Sequence, residues 1–164
     1  MSTEAPMRPV EEEALFNPAL LSVLLHHAAG EHARRSEGRA LPTILVYLIV
    51  PLALHGPTRR ALPANVTAQM GEWIRAHPEA LAGLHARAQS LRPHVSSAVS
   101  FALTHDVLRA GPEGVRAGSL QRRPRGMPRS AEVDECVAKA GFLGRWFSEQ
   151  GDPSTTLALW GLRV

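Results

Sequence analysis

The stretch from Leu41 to His55 constrains the fold most, because it is apolar on nearly every side. A segment without a polar face belongs at the centre of a domain. Its isoleucines, valines and tyrosine favour a strand, whereas its length and Pro42 at its start favour a helix kinked by Pro51. We predict a buried helix. Its apolar run, Ile44 to Leu54, is well short of the about 20 residues that span a bilayer, so we expect no membrane association.

The segment before this run predicts an amphipathic helix. Its apolar residues recur at three- and four-residue steps, as on one helical face. The acidic run Glu11 to Glu13 favours a helix start, and an alternative start has Asn17 as N-cap and Pro18 at the first position. Gly38 is placed to end the helix. We expect residues 1–10 to form a mobile tail and residues 11–164 a single domain.

Further helices are predicted after a loop that follows Gly56 and runs to Asn65. Thr67 is expected to cap a helix that stops before Pro78. Two more helices, about 79–91 and 94–106, are separated at Arg92 and Pro93. The last two predicted helices begin at Ser130 and at Asp152 as N-caps, and end near residues 150 and 160.

Residues 107–120 predict a short β-hairpin. Turn residues lie at positions 111–114, and the flanking segments alternate loosely between apolar and polar residues. Three helices followed by a hairpin is the order of a winged helix-turn-helix. The predicted fold class is therefore mainly α: a helical domain with a winged helix-turn-helix-like core and one short β-hairpin.

The cysteine content and the first residues bear on the compartment. Cys136 is the only cysteine, so a secreted disulfide scaffold is excluded. Residues 1–9 lack a basic region followed by an apolar stretch, so they do not form a signal peptide. We therefore expect a cytoplasmic protein.

Neither catalysis nor metal binding is indicated. Motifs such as GxSxG, SxxK, the phosphate-binding P-loop and HExxH are missing. Cys136 follows acidic residues, which disfavour a thiolate, and a small buried side chain is the simpler interpretation. His27 and Glu31 share a helical face, but no third ligand has a recognisable spacing. We predict a protein that is not an enzyme and that has no cofactor or metal.

The basic segment that follows the hairpin is the candidate nucleic-acid contact. Arg116 and residues 122–129 lie in a stretch without an acidic residue, and Arg122, Arg123 and Arg125 are grouped most closely. Arginines on or after a wing could neutralise phosphates. A solvated loop in an arginine-rich protein, or a contact with an acidic protein, would give the same pattern.

Four segments together resemble one family. They are FNPALLSVLLHHAA (16–29), LPTILVYLIVPLALHGPTRRALP (41–63), FALTHDVLRA (101–110) and GFLGRWFSEQGDPSTTLALWGLRV (141–164). In this order they resemble the middle component of three-component ABC-ATPase systems of the kind associated with Lamassu-type prokaryotic defence.

The resemblance implies a non-enzymatic adapter subunit. Its partners would be an SMC-like ABC ATPase and a separate effector, possibly a nuclease, and the complex would defend against phages or plasmids. We predict partner contacts at Phe16, Asn17 and Pro18, and at Trp146 and Trp160; helix capping and core packing would explain the same residues. DNA could be contacted through the complex. The alternative function is a free-standing winged-helix transcription regulator that binds DNA, although residues 94–106 offer few base-reading side chains.

Overall fold

The structure of the chain is a computed structural model that describes residues 17–120 and 130–163. The helices are α1 (Pro18–Arg35), α2 (Thr43–Leu54), α3 (Gly56–Ala61), α4 (Met70–Ala76), α5 (Leu84–Thr104), α6 (Ala131–Ser148) and α7 (Pro153–Leu159). A short 3-10 turn, Pro78–Ala80, precedes α5. The strands β1 (Leu108–Gly111) and β2 (Gly114–Ala117) follow α5. The prediction of a mainly helical chain with one short hairpin is confirmed.

Helix α1 begins as the sequence predicts. Asn17 is the N-cap, and its side-chain oxygen accepts a hydrogen bond from the Leu20 N–H at 3.1 Å, with Pro18 in the first turn. At the other end, the helix stops at Arg35, and Glu37 takes the left-handed conformation with φ 59°. The N–H of Gly38 then donates to the Ala33 carbonyl at 2.7 Å, which satisfies a carbonyl of the last turn. Gly38, which also has a positive φ of 88°, therefore closes the helix end.

Helix α2 is the buried centre that the apolar run predicts. Every residue from Leu45 to Leu54 is buried except Tyr47, and Pro51 lies inside the helix. The predicted start is wrong by two residues, because Pro42 is the N-cap and Leu41 pairs with the hairpin. The Leu41 N–H donates to the Val115 carbonyl at 3.0 Å, and the Val115 N–H donates back at 2.9 Å.

Between α2 and α5 the sequence prediction has to be corrected twice. The predicted loop after Gly56 contains the helix α3. Thr67 does not cap the next helix; its N–H and hydroxyl donate to the Asn65 side-chain oxygen, and α4 begins after Gln69. Both errors concern short helices, of six and seven residues.

Helix α5 is one continuous helix of 21 residues that contains Pro93, whereas the sequence predicted two helices. A proline inside a helix removes one backbone hydrogen bond, here to the Gln89 carbonyl. Gln89 and Pro93 are both exposed, so water can satisfy that carbonyl. The buried side of the helix continues past the proline through Val95, Ala98 and Ala102, and this packing keeps the helix unbroken.

The hairpin is antiparallel and has a two-residue turn, Pro112 and Glu113, within the predicted turn region. Its register places Arg109 opposite Arg116, and both are exposed. A Cβ at Gly114, which has φ 156°, would lie 2.0 Å from the Leu41 carbonyl oxygen, so only glycine permits this approach. A hairpin after a long helix agrees with a wing, but the winged helix-turn-helix core stays a prediction.

Helices α6 and α7 have the predicted starts. Ser130 caps α6, with its hydroxyl oxygen accepting from the Val133 N–H at 3.0 Å, and Asp152 is the N-cap of α7 with Pro153 in the first turn. α6 packs most extensively against α1, whereas α2 lies between α5 and α6. Among the described residues, no helix combines the length and apolarity that crossing a membrane would require.

Candidate interaction surfaces

The predicted partner residues at the start of the chain have a structural role where they are described. The side chain of Asn17 caps α1 and Pro18 forms its first turn, and both residues are half-buried. Phe16 lies outside the described residues. A partner contact at this helix start stays a prediction.

The two predicted tryptophans are buried in an aromatic cluster. Trp146 is 0% and Trp160 1% exposed, and their ring centroids are 6.3 Å apart. Trp73 of α4 completes the cluster at 5.8 and 5.9 Å from these two rings. The Trp146 indole N–H donates to the Ala68 carbonyl at 2.8 Å. The cluster joins α4, α6 and α7, so a partner would reach these side chains only after the three helices separate.

The three arginines predicted to contact DNA, Arg122, Arg123 and Arg125, lie outside the described residues. The hairpin just before them carries Arg109 and Arg116 on its exposed face. The guanidinium of Arg109 makes two hydrogen bonds to Asp106, at 3.0 and 3.1 Å, and Arg116 donates to the Gly38 carbonyl. These bonds lower the pKa of Asp106 and raise that of Arg109.

Arg59 is a buried cation in an ionic network that the sequence analysis missed, and its carboxylate partners Glu132 and Glu135 are 41% and 38% exposed. Its side chain is 0% exposed and donates to the Ala53 and Leu54 carbonyls, each at 3.0 Å. It also donates to Glu135 at 3.1 Å and to Glu132 at 3.2 Å. The carbonyls lie at the C-terminal end of α2 and the carboxylates in the first turns of α6, where helix dipoles favour positive and negative charge respectively. Arg59 thus joins two helix ends.

The seam between α2 and α5 is joined by a contact of two hydroxyl groups. The Tyr47 hydroxyl and the Ser96 hydroxyl are 2.9 Å apart across this seam. Ile44 of α2 and Val99 of α5 are partly buried against the core. Leu103 of α5, 38% exposed, is one of the two exposed large hydrophobic side chains among the described residues; the other is Leu159 at 39%.

Two histidines of α1 have lowered pKa values. His32 is 5% exposed, and its Nδ1 lies 3.3 Å from the Arg39 carbonyl oxygen, to which it can donate. Burial lowers the pKa of His32, which keeps the ring neutral near pH 7. Partial burial lowers the pKa of His27, and the nearby His26 adds to this effect. Glu31, proposed above as a neighbour of His27, instead pairs with Arg34 and Arg145.

One cleft among the described residues is small for a ligand site. A cleft of about 160 Å³ is bordered by His32, Arg39, Phe147 and Pro153. Ligand sites usually measure about 300 Å³ or more. Within residues 17–120 and 130–163, no three His, Cys, Asp or Glu side chains are grouped as metal ligands. Cys136 is buried in α6.

Comparison with known proteins identifies the family. The family model described as ABC-three component (ABC-3C) system Middle Component 3 matches residues 6–164. Neither a curated protein nor a solved structure matches the chain. The matched range contains both the described helical domain and the arginine segment at 122–129. The chain therefore belongs to the Middle Component 3 family of ABC three-component systems.

Proposed function

We propose that the chain is a non-enzymatic adapter that links an SMC-like ABC ATPase to an effector such as a nuclease in a Lamassu-type defence complex. The observation that carries this proposal is the family match across residues 6–164, because a middle component acts within a system of several proteins.

The adapter function is tested by co-expressing the chain with the ATPase and effector encoded beside it. Affinity purification through the adapter followed by light scattering would give the composition and mass of any complex. We expect a stable complex that contains the ATPase. If the chain instead elutes alone, as a monomer or homodimer, the adapter function is wrong.

For the contacts of the adapter, we propose Phe16, Asn17 and Pro18, together with Trp146 and Trp160. Alanine substitutions test these contacts. Because Trp146 and Trp160 are buried, replacing either with alanine should destabilise the free chain by about 3–5 kcal/mol as well as weaken the complex. Phe16→Ala should weaken the complex, and thermal unfolding of the free variant separates this effect from any change in stability. An unchanged complex affinity in Phe16→Ala would remove that residue from the interface.

We further propose that Arg122, Arg123 and Arg125 contact DNA phosphates. Each phosphate contact contributes about 0.9 to the slope of log affinity against log salt concentration, so replacing all three with alanine should reduce that slope by about 3. The matched control is the exposed Arg75 and Arg92 on α4 and α5, changed together to alanine. Fluorescence anisotropy with a labelled duplex gives both slopes, and unchanged DNA affinity of the triple variant would contradict this role.

The second candidate function is a free-standing winged-helix DNA-binding regulator. It is favoured by one observation, the hairpin that follows α5 and presents Arg109 and Arg116 side by side on its exposed face. A regulator of this kind would bind one duplex sequence without the ATPase, usually as a dimer on two half-sites. Selection of duplexes from a random pool, using the isolated chain, distinguishes it: an enriched palindromic sequence supports the regulator, and no enrichment excludes it.

A further inference from the structure

Helix α7 is attached to the rest of the described chain by apolar contacts. Within the part of the chain that the structure describes, residues 151–163 make no hydrogen bond or ion pair to a residue outside that range. Thr156 and Leu157 are the buried residues of α7, and Trp160 directly after it is 1% exposed. The side chain of Asp152 makes no capping hydrogen bond at the start of the helix. The burial of a few side chains therefore holds α7 in place.

Helix α6, which precedes α7, is held by polar contacts along its whole length. Ion pairs of α6 and its C-cap residue reach Arg59 on α3, and Glu31 and Arg35 on α1. At Gly144 the backbone of α6 also contacts that of α1. The two C-terminal helices thus differ in how firmly they are attached, and α7 is the one that can separate without breaking a polar contact.

The indole N–H of Trp160 is buried and has no acceptor among the described residues. The indole N–H of Trp146, in the same tryptophan cluster, donates to the Ala68 carbonyl at 2.8 Å. A buried donor without an acceptor costs free energy, because it has lost its hydrogen bond to water. Movement of α7 into solvent would restore that hydrogen bond. The position of α7 in the structure therefore includes a cost that its opening removes.

Gly151 lies between α6 and α7, and the structure does not require glycine there. Its φ lies outside the left-handed region, and a Cβ added to it would meet no atom within 4 Å. Alanine would fit without strain and would lose less backbone entropy on folding. Hinge positions of moving elements absorb changes in φ and ψ, and they are often small residues. Gly151 has the properties of such a hinge.

We propose that α7 is a hinged cover of the tryptophan cluster, which opens about Gly151 while α1 to α6 stay folded and thereby exposes Trp146 and Trp160 to the partner subunit. The inference rests on the partner contacts proposed above and explains how buried side chains become accessible. Local openings of this kind have lower free energies than global unfolding. Because the open form is a minor population, the measured affinity for the partner is reduced in proportion to its fraction.

Native-state hydrogen exchange of the full chain tests whether α7 opens separately. Gly144→Ala would place a Cβ 2.1 Å from the Ala28 carbonyl oxygen, so it destabilises the α1–α6 contact. The exchange of α6 amides should accelerate by about tenfold or more. The hydrogen-bonded amides of Trp160 and Leu162 should exchange within about twofold of the wild-type rate, because opening of α7 leaves the α1–α6 contact intact. Equal acceleration of both groups would mean that α7 separates only on global unfolding, and the proposal would be wrong.

Gly151→Ala tests the hinge and its effect on binding. Alanine removes flexibility from the open form, so exchange of the α7 amides should slow by about two- to fivefold. Association with the purified ATPase or effector should slow by the same factor and should level off at high partner concentration, as expected when opening precedes binding. Stopped-flow fluorescence measures this rate, and all three tryptophans of the chain lie in the cluster. The matched control, Gly144→Ala, should leave the association rate within about twofold of wild type.

The association experiment separates this inference from the adapter function. If wild type binds its partner at a rate that Gly151→Ala leaves unchanged, α7 does not control access, so the inference fails and the adapter function stands. If wild type binds neither the ATPase nor the effector, the adapter function fails, and control of access by α7 fails with it.

Discussion

At Gly144 the backbones of helices α1 and α6 come into close contact. A Cβ atom built on this glycine would lie 2.1 Å from the Ala28 carbonyl oxygen and 3.0 Å from the Ala28 Cα. Both are backbone atoms of the facing helix, so no side chain can turn away to make room. Gly144→Ala therefore requires the two helices to separate by about 1 Å, which disturbs the densest packing in the protein.

The expected loss of stability follows from two opposing effects. Alanine is a better helix former than glycine by about 1 kcal/mol. Overpacking a tight core costs about 1–3 kcal/mol, and we take the upper value because the obstacle is backbone. Gly144→Ala should thus lower the free energy of unfolding by about 2 kcal/mol, which corresponds to a Tm about 4–8 °C lower for a domain of this size.

Gly141, one turn earlier on the same helix, provides the matched control. Its added Cβ would lie 3.3 Å from Cγ of Glu31, a side chain that can shift by a few tenths of an ångström. Gly141→Ala should therefore be neutral or gain up to about 1 kcal/mol from helix propensity. Urea unfolding followed by circular dichroism measures both variants. If Gly144→Ala is as stable as Gly141→Ala, the close approach of α1 and α6 described here is wrong.

Two further predictions concern buried polar side chains. Arg59→Met should destabilise the chain by about 3 kcal/mol, since it leaves the Ala53 and Leu54 carbonyls without their donor, and Arg59→Lys should lose nearly as much because an ammonium cannot serve acceptors on both helices. Urea unfolding measures both, and wild-type stability of Arg59→Lys would contradict the network. Burial lowers the pKa of His32 in the folded chain, whereas in the unfolded chain this pKa is about 6.5. The unfolded chain therefore binds more protons than the folded chain as the pH falls below about 6.5. The stability linked to His32 is therefore fully present above that pH and lost as the pH falls below it, and His32→Asn should reduce the acid sensitivity of the free energy of unfolding below about pH 6.5. An unchanged pH dependence would exclude this contribution.

The elements that could be predicted from sequence are those whose ends are decided by nearby residues. Asn17 and Ser130 accept hydrogen bonds from N–H groups three residues further on, so the cap and the helix lie in the same short segment. The hairpin has its turn between Gly111 and Gly114, within the predicted turn residues. Local chemistry was sufficient for these elements.

The elements that could not be predicted depend on partners far along the chain. Pro93 is accommodated because the buried side of α5 packs on α1 and α2. Leu41 leaves the predicted helix because its backbone pairs with Val115. Arg59 lies in a segment predicted to be a loop, and its acceptors Glu132 and Glu135 are on α6. The pattern of single residues contains no signal for these pairings.

The site predictions show the same limit. Trp146 and Trp160 were selected because tryptophan is common at interfaces, and the sequence did not indicate that both are buried in the core. Their contact with a partner stays a prediction.

The packing of α6 on α1 also has a consequence for synthesis. Residues 17–120 emerge from the ribosome before α6, at about 5–20 residues per second, so the face of α1 around Ala28 and the guanidinium of Arg59 wait several seconds for their partners on α6. During that interval the nascent chain carries apolar surface that a chaperone or a neighbouring nascent subunit could cover. Translation of this component beside its partners would shorten the exposure, and premature termination after residue 120 would leave an aggregation-prone fragment.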